Sequence, residues 1–554
     1  MHFVSVRPRG STRRSDSGLR VPGNTQWTMD KHLCVTLLLM LLLCPRSNTE
    51  SQTSCPYRCQ CFTPLQVLCA DERMTSLPKD MSNQVKEFIL MTSAVAYLLP
   101  HTLKESPQLT ELVFLNNALR SIHAQAFEDL TQLQELEISG NPWLENLYMG
   151  TFSRQKNLLK LLLNFNRFKT VLPGMFDSLK QIATLQMKGN LISHLPMFLF
   201  LNLQNLLVLD LSQNKLEEVK RETFFGLTRL EILKVNNNLI SNLTCDTFQN
   251  ISQLTELHLE GNKISELTDG IFSVLTRLNV LNLRGNLLTT FSQKVFGFNV
   301  SNLRELNLKG NRLTELSSLS RLTSLTDLVL SSNQLSSLPE DIFRNVTLLE
   351  NLDLSENQLS LLPELIFYNL SAITSIHLDK NNLRRLEPKL FKDQWLMQQL
   401  YLSDNQLETL PPGLFDLFIV EHTVRLHGNP WRCDCHMWYL HDWVLRNNNI
   451  LQRQDSVLCN SPDFLRQRVV ASVDRDQLVC RVSSDEMPDF RSCSIQAFND
   501  AMIVKCQVDK CSPMTVKVQF QGGDGNIKEH VLRSERSECS NATSIEGSLM
   551  IPEY

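Results

Sequence analysis

LTELVFLNNAL, residues 109–119, is followed by LQELEISGNPW, residues 133–143, and the two stretches place the same residue types in the same order. Leu109, Leu112, Phe114, Asn117 and Leu119 fill five roles that Leu133, Leu136, Ile138, Asn141 and Trp143 fill again. Apolar residues three and then two apart read as a short strand with those side chains turned inward. The asparagine turns the chain, and its amide can bond backbone groups of the neighbouring copies, so that stacked copies form a ladder. Working outward, the asparagine recurs at 117, 141, 166, 190, 214, 238, 262, 286, 311, 333, 357, 381, 405 and 429. A degenerate first copy with Val85, Phe88 and Leu90 carries Ser93 in the asparagine place, making 15 units. Ten residues after most of the asparagines stands a phenylalanine, from Phe127 through Phe176, Phe200, Phe224, Phe248, Phe272 and Phe296 to Phe343, Phe367, Phe391 and Phe415. Phe152 comes one residue late, in a longer repeat, and the shortest repeat, Asn311 to Asn333, has none. These rings predict a second buried column on the convex side.

One unit cannot cover its own apolar residues, so neighbours must stack on it. The pattern, Leu-x-x-Leu-x-Leu-x-x-Asn-x-Leu, resembles the extracellular leucine-rich-repeat families. The expected fold is an α/β solenoid, a leucine-rich-repeat horseshoe with a parallel concave β-sheet, disulfide caps at both ends and a small β-rich C-terminal module. Fifteen strands at roughly 4.8 Å each give an inner arc of about 70 Å, the size of a folded partner. A solenoid exposes an apolar cross-section at each end, and cysteines stand where caps are needed: Cys55, Cys59, Cys61 and Cys69 before the array, Cys433, Cys435, Cys459 and Cys480 after it. The resemblance to capped repeat proteins implies bridges Cys55–Cys61, Cys59–Cys69, Cys433–Cys459 and Cys435–Cys480. A zinc site from Cys433, Cys435, His436 and His441 is the less favoured reading, because an oxidising compartment favours disulfides.

The apolar run Leu33–Cys44 follows Lys31 and ends at Pro45, which fits a secretory leader and is too short to span a bilayer. Met29 stands just before it and is the expected start. The predicted organisation is an extension at 1–28, a signal peptide at 29–50, an amino-terminal cap at 55–84, about 15 repeats at 85–428, a carboxy-terminal cap at 429–480 and a cysteine-containing tail at 481–554. A secreted, extracellular protein of the plasma is expected. With 54 basic against 58 acidic residues the chain carries −4, a poor match to nucleic acid or an anionic membrane.

The tail holds Cys493, Cys506, Cys511 and Cys539, an even count that suggests two more bridges of open pairing. Met502–Val508 and Met514–Phe520 read as strands, followed by the turn-rich Gly522–Asn526. From Cys55-Pro56 through Asn429-Pro430-Trp431-Arg432-Cys433-Asp434-Cys435-His436 to Val504-Lys505-Cys506-x4-Cys511, the chain resembles the leucine-rich-repeat regulatory subunits of carboxypeptidase N. The tail carries the specificity of that resemblance, because repeats and caps are common to many families. It implies a subunit without catalytic activity or cofactor that binds an extracellular zinc carboxypeptidase catalytic subunit as a hetero-oligomer, stabilises it and keeps it in circulation. The alternative is a soluble recognition or decoy receptor for matrix, growth-factor or microbial ligands.

Motifs for chemistry are missing from the sequence. None of the 12 histidines has a glutamate three positions later, as the His-x-x-Glu of a metallocarboxypeptidase requires. His-Glu-x-x-His, Gly-x-Ser-x-Gly and Gly-x4-Gly-Lys do not occur either. His258, His377 and His427 read as solvated surface histidines rather than a converging site.

Partner contact is expected on the concave strands. Val113, Leu115, Leu162 and Phe165 are apolar where water is expected, with lateral packing as the competing explanation. Glu256, His258, Glu260 and Arg284, near Glu305 and Lys309, bring mixed charge, whose plainer role is solubility. Tyr401, Arg425 and His427 include types common in hot spots. Trp438, Tyr439 and Trp443 are expected to pack the cap. Six glycosylation sequons stand at Asn242, Asn250, Asn299, Asn345, Asn369 and Asn541. Cys245 is odd by count, and a buried thiol is expected there rather than an intermolecular bridge.

Overall fold

The computed structural model describes residues 55–480 other than 299 and 448–450, and beyond them the backbone of five strands between 493 and 550. Met29, the run Leu33–Cys44, Asn299, Asn541, Cys511, Cys539 and the side chains of Cys493 and Cys506 lie outside the described residues.

Fifteen repeat strands, from Glu87–Met91 to Thr423–Arg425, lie in one sheet of 18 strands. Gln66–Ala70 of the amino-terminal cap continues that sheet parallel to Glu87–Met91, and Leu451–Gln452 of the carboxy-terminal cap continues it beyond Thr423–Arg425. The pairing register is one repeat per step. Leu209 therefore faces Leu233, then Leu257, Leu281 and Leu306, all of them buried. The core is a stripe running the length of the array rather than a central mass.

The ladder asparagines supply the bonds that the short strands lack. Asn262 Nδ2 donates to Leu259 O (2.9 Å) in its own turn and to Val235 O (3.1 Å) in the repeat before, while Oδ1 accepts from Ile240 N (3.1 Å). Ser93 takes the same place in the first copy, its hydroxyl donating to Asn117 Oδ1 at 2.7 Å. The residue before each ladder asparagine has a left-handed backbone, from Asn116 (φ 55°) to Gly428 (φ 72°). Glycine fits that conformation freely, whereas Phe165 (φ 52°) holds it against its Cβ.

On the convex side the rings stack as the spacing implies: Phe152, Phe176 and Phe200 lie 6.3 Å apart in turn, and Phe367 to Phe391 is 5.8 Å. In the shortest repeat Arg321 stands where the ring is missing and donates to Gly297 O (3.0 Å), while Leu319 and Leu322 fill the core. The arcs close through i→i+3 turns such as Ile251 N to Phe248 O (3.1 Å). Among the described residues of the array, helix is confined to the 3-10 segments Arg221–Phe224 and Gln293–Phe296. The α-helix Trp438–Arg446 belongs to the carboxy-terminal cap.

Disulfides join Cys59 to Cys69, Cys433 to Cys459 and Cys435 to Cys480, and Cys55 and Cys61 are also disulfide-bonded. The two carboxy-terminal bridges remove the thiols that a zinc site would need. His441 is buried against Val473 O (2.8 Å) instead of facing them. Trp431 is fully buried, its Nε1 donating to Leu426 O at 3.1 Å. Tyr439 and Trp443 pack on Phe415 as cap residues, but Trp438 is exposed, with Arg475 over its ring at 5.5 Å.

Two further expectations are corrected. Trp143 does not take the inward place after Asn141: this repeat is one residue longer, Leu144 is buried in its stead, and the exposed indole lies under Arg120 (5.3 Å), whereas the same Asn-Pro-Trp order at Asn429 buries Trp431. Cys245 is a free thiol but an exposed one. It sits seven residues past Asn238, an outward position that Met197, Arg221 and Asp269 occupy in neighbouring repeats.

The tail strands pair antiparallel. Ala501–Val508 lies between Cys493–Phe498 and Thr543–Met550, and Thr515–Gln521 pairs with Ile527–Arg533.

Candidate partner-binding face

The short strands alternate strictly, so each repeat turns its leucines inward and offers a few side chains to the concave surface. Along the array these form rows in register. The sequence-derived candidates fall in three patches of that surface, separated by several strands, and do not converge on one point.

At the amino-terminal end Ile89 faces Val113, Met91 faces Leu115, Val113 faces Glu137, and Glu137 faces Leu162. All four aliphatic residues Ile89, Val113, Leu115 and Leu162 are half-buried, and Phe165 is 49% exposed. Ile89 and Met91 were not singled out in the sequence, because their repeat is degenerate. Beside them runs a second row, Glu87–Glu111–Glu135–Lys160. Glu135 is paired with Lys160 (3.0 Å) and Glu87 accepts from Gln66 Nε2 (2.6 Å). Burial, then the charges of Glu135 and Glu87, push the Glu111 carboxyl above its ordinary range.

In the middle, Glu256, His258 and Glu260 share one strand and the turn after it. His258 Nε2 lies 3.3 Å from Glu256 Oε2, and Nδ1 lies 3.9 Å from Glu260 Oε2. Burial raises the Glu260 carboxyl, opposed by a backbone bond and by His258, Lys234 and Arg284. Arg284 itself is exposed. Glu305, two strands away, is raised by burial and by Asp327 and Glu256. The network is incomplete, for Glu260 Oε2 is buried without a hydrogen-bond partner.

Near the carboxy-terminal cap the register puts His377, Tyr401 and Arg425 side by side. The His377 and Tyr401 rings stack at 4.2 Å, and the Arg425 guanidinium lies 3.7 Å over Tyr401, its Nε donating to Gln452 Oε1 (2.7 Å). Burial holds His377 below the ordinary imidazole range, against the pull of Asp353 and Asp379, and burial lowers His427 as well. Burial favours the neutral form of both, and half-buried as they are, neither is the solvated surface histidine expected from the sequence. His377 therefore belongs with Tyr401 and Arg425 as a stacked platform, a role its isolated place in the sequence did not reveal.

Asn250, Asn345 and Asn369 each stand two residues past a column phenylalanine, on the arc, and Asn242 is exposed at the start of an arc. Glycans at these sequons would leave the concave strands clear. Among the described residues no helix is long and apolar enough to cross a membrane.

The family model described as Leucine rich repeat matches residues 84–142, 183–240, 209–264, 252–313, 276–335, 323–383 and 371–418. Human Carboxypeptidase N subunit 2 is 38% identical over 65 residues, which is 12% of this chain and 12% of that protein. Human Reticulon-4 receptor-like 2 is 32% identical over 126 residues, 23% of this chain and 29% of that protein. The chain thus spans less than a third of the length of these relatives. Among solved structures, a repeat protein of Leptospira interrogans superposes with TM-score 0.58 at 28% identity, covering 65% of this chain and 88% of that one. A TLR13–ssRNA13 complex gives TM-score 0.58 at 23% identity over 72% of this chain and 61% of that one, a likeness of fold.

Proposed function

Because the chain belongs to the leucine-rich-repeat family, we propose that it is a secreted, non-catalytic scaffold whose concave sheet holds and stabilises an extracellular zinc carboxypeptidase. The observation that carries this reading is the uninterrupted concave sheet, which presents apolar, charged and stacked aromatic contact residues on rigid, in-register strands. A surface of that length suits a folded protein better than a small substrate, and interface anchors of these types dominate binding energy. The bridged caps support an oxidising, extracellular setting. The similarity to proteins named Carboxypeptidase N subunit 2 supports the partner class.

A second reading, a soluble recognition receptor, draws support from the similarity to a receptor-like relative. Affinity capture from plasma separates the two. The tagged chain is expected to co-elute a zinc carboxypeptidase, and the eluate, unlike the isolated chain, is expected to release C-terminal Lys or Arg in a chelator-sensitive way. Repeated capture of other proteins without a carboxypeptidase would favour the receptor. Chelator-sensitive release by the isolated chain alone would overturn the non-catalytic scaffold.

A further inference from the structure

We propose that the amino-terminal end of the concave sheet docks a cationic, amphipathic segment of the partner protein, its apolar side chains on the sheet and its lysines or arginines on a glutamate rim. The inference rests on the reading that the concave face holds a partner, and it specifies what that partner must present.

Three observations choose the occupant. The first is the pairing of surfaces: Ile89, Met91, Val113, Leu115 and Leu162 make an apolar strip on three of four consecutive strands, the other offering Glu137 and Ser139, and the row beside it is Glu87, Glu111 and Glu135. Four strands span roughly 15–20 Å, the length of about five or six extended residues. Glu137 stands within the strip itself. Its neighbour Lys160 is already engaged by Glu135, and neither Glu111 nor Glu137 has an ion-pair partner among the described residues. An acidic segment would be repelled here, and an uncharged one would leave these carboxylates desolvated without compensation. A cationic segment with apolar residues between its charges answers both.

The second is Phe165. A bulky residue seldom holds a left-handed backbone, yet Phe165 does, at φ 52°, and its ring is accommodated by the absence of a side chain at Gly189. The ring leans toward Gly189 of the next repeat with Lys188 Nζ 5.7 Å away, and it stays 49% exposed. An exposed aromatic three residues past Leu162 offers further apolar contact area at this end of the sheet. The third is access: the sequons begin at Asn242, so no sequon-borne glycan stands on the strands Glu87–Met91 to Lys160–Leu162 or on the arcs between them.

The test uses the intact chain and three ten-residue fluorescent peptides, alternating Leu–Lys, alternating Leu–Glu and alternating Ser–Lys, titrated by anisotropy at low and physiological salt. The Leu–Lys peptide is expected to bind and to weaken with salt, with the other two at least about tenfold weaker. Combining Glu87→Gln, Glu111→Gln and Glu137→Gln should weaken Leu–Lys binding about tenfold, and Val113→Ser with Leu115→Ser should weaken it at any salt. Met197→Ser, exposed on an arc, should leave it unchanged. Circular dichroism checks that each variant is folded. Equal binding of Leu–Glu and Leu–Lys, or equal loss in the arc variant and the triple glutamine variant, overturns the proposal. The two readings fail separately. Plasma capture of a carboxypeptidase undiminished by the triple glutamine variant sinks this docking site alone. Peptide discrimination without a co-eluting carboxypeptidase sinks the scaffold role and leaves the site standing.

Discussion

Replacing Asn262 by alanine removes three hydrogen bonds at once, to Val235 O, Leu259 O and Ile240 N, all in the buried ladder. Each is worth about 1 kcal/mol net, and leaving buried backbone groups unpaired adds roughly 1–3 kcal/mol, so a loss of about 4–6 kcal/mol is expected. Because each repeat contacts only its neighbours, the damage should be local to the repeats on either side of Asn262 rather than spread over the array. Asn236, two residues earlier than the neighbouring ladder position and half-buried on the concave face, serves as the control, and Asn236→Ala should cost under about 0.5 kcal/mol. Asn262→Asp keeps the acceptor for Ile240 N but sets a carboxylate oxygen against the carbonyls of Val235 and Leu259, so it should cost at least as much as alanine. Urea unfolding measures the size of the effect, and amide hydrogen exchange places it: the Ile240 amide should lose protection first. A cost below about 1 kcal/mol for Asn262→Ala, or a uniform rise in exchange along the sheet, would refute the ladder argument.

Further outcomes follow from the same geometry. Glu111 is raised in the folded state, so its charged form opposes folding at neutral pH. Stability should rise as pH falls from neutral through that raised range, and Glu111→Gln should melt higher at neutral pH and lack this gain in a series of thermal melts. Opening the cap by Cys433→Ser with Cys459→Ser should cost about 3 kcal/mol and shift the emission of the buried Trp431, while leaving exchange in the central repeats unchanged. Cys245, being exposed, should react with a maleimide in the native protein without denaturant, and a thiol that labels only after unfolding would contradict its placement. Tyr401→Ala should remove the surface that holds His377 and Arg425, and raise the imidazole of His377 toward its ordinary range as water enters, as an NMR titration would read.

The repeat fold is legible because each buried place is specified by residue type at a fixed interval: leucine pairs, ladder asparagines and column phenylalanines all lie where spacing puts them. Legibility fails where the interval slips. The extra residue of the repeat after Asn141 falls at its turn, so that Trp143 lies outward and Leu144 inward, although the same Asn-Pro-Trp order at Asn429 buries its indole. Cys245 reads as core from its residue type alone, whereas its distance from Asn238 puts it on the outward arc. The left-handed residue before each ladder asparagine left a trace in the recurring Gly-Asn pairs, and Phe165 stands out only once that trace is seen. Contacts across repeats are the hardest to read. His377, Tyr401 and Arg425 are 24 residues apart in turn, and their stack exists only because the strands pair in register. The glutamate row Glu87, Glu111 and Glu135 becomes one surface for the same reason.

Hydroxyl-radical footprinting of the chain alone and in its captured complex tests the central claim most directly, because it reads which side chains a partner covers. The account predicts protection of concave residues, Met91, Leu115, Leu162 and Phe165 foremost, with the arc residues Met197 and Phe225 labelled equally in both states. Protection confined to the arcs or the tail, with the concave rows still open, would contradict it.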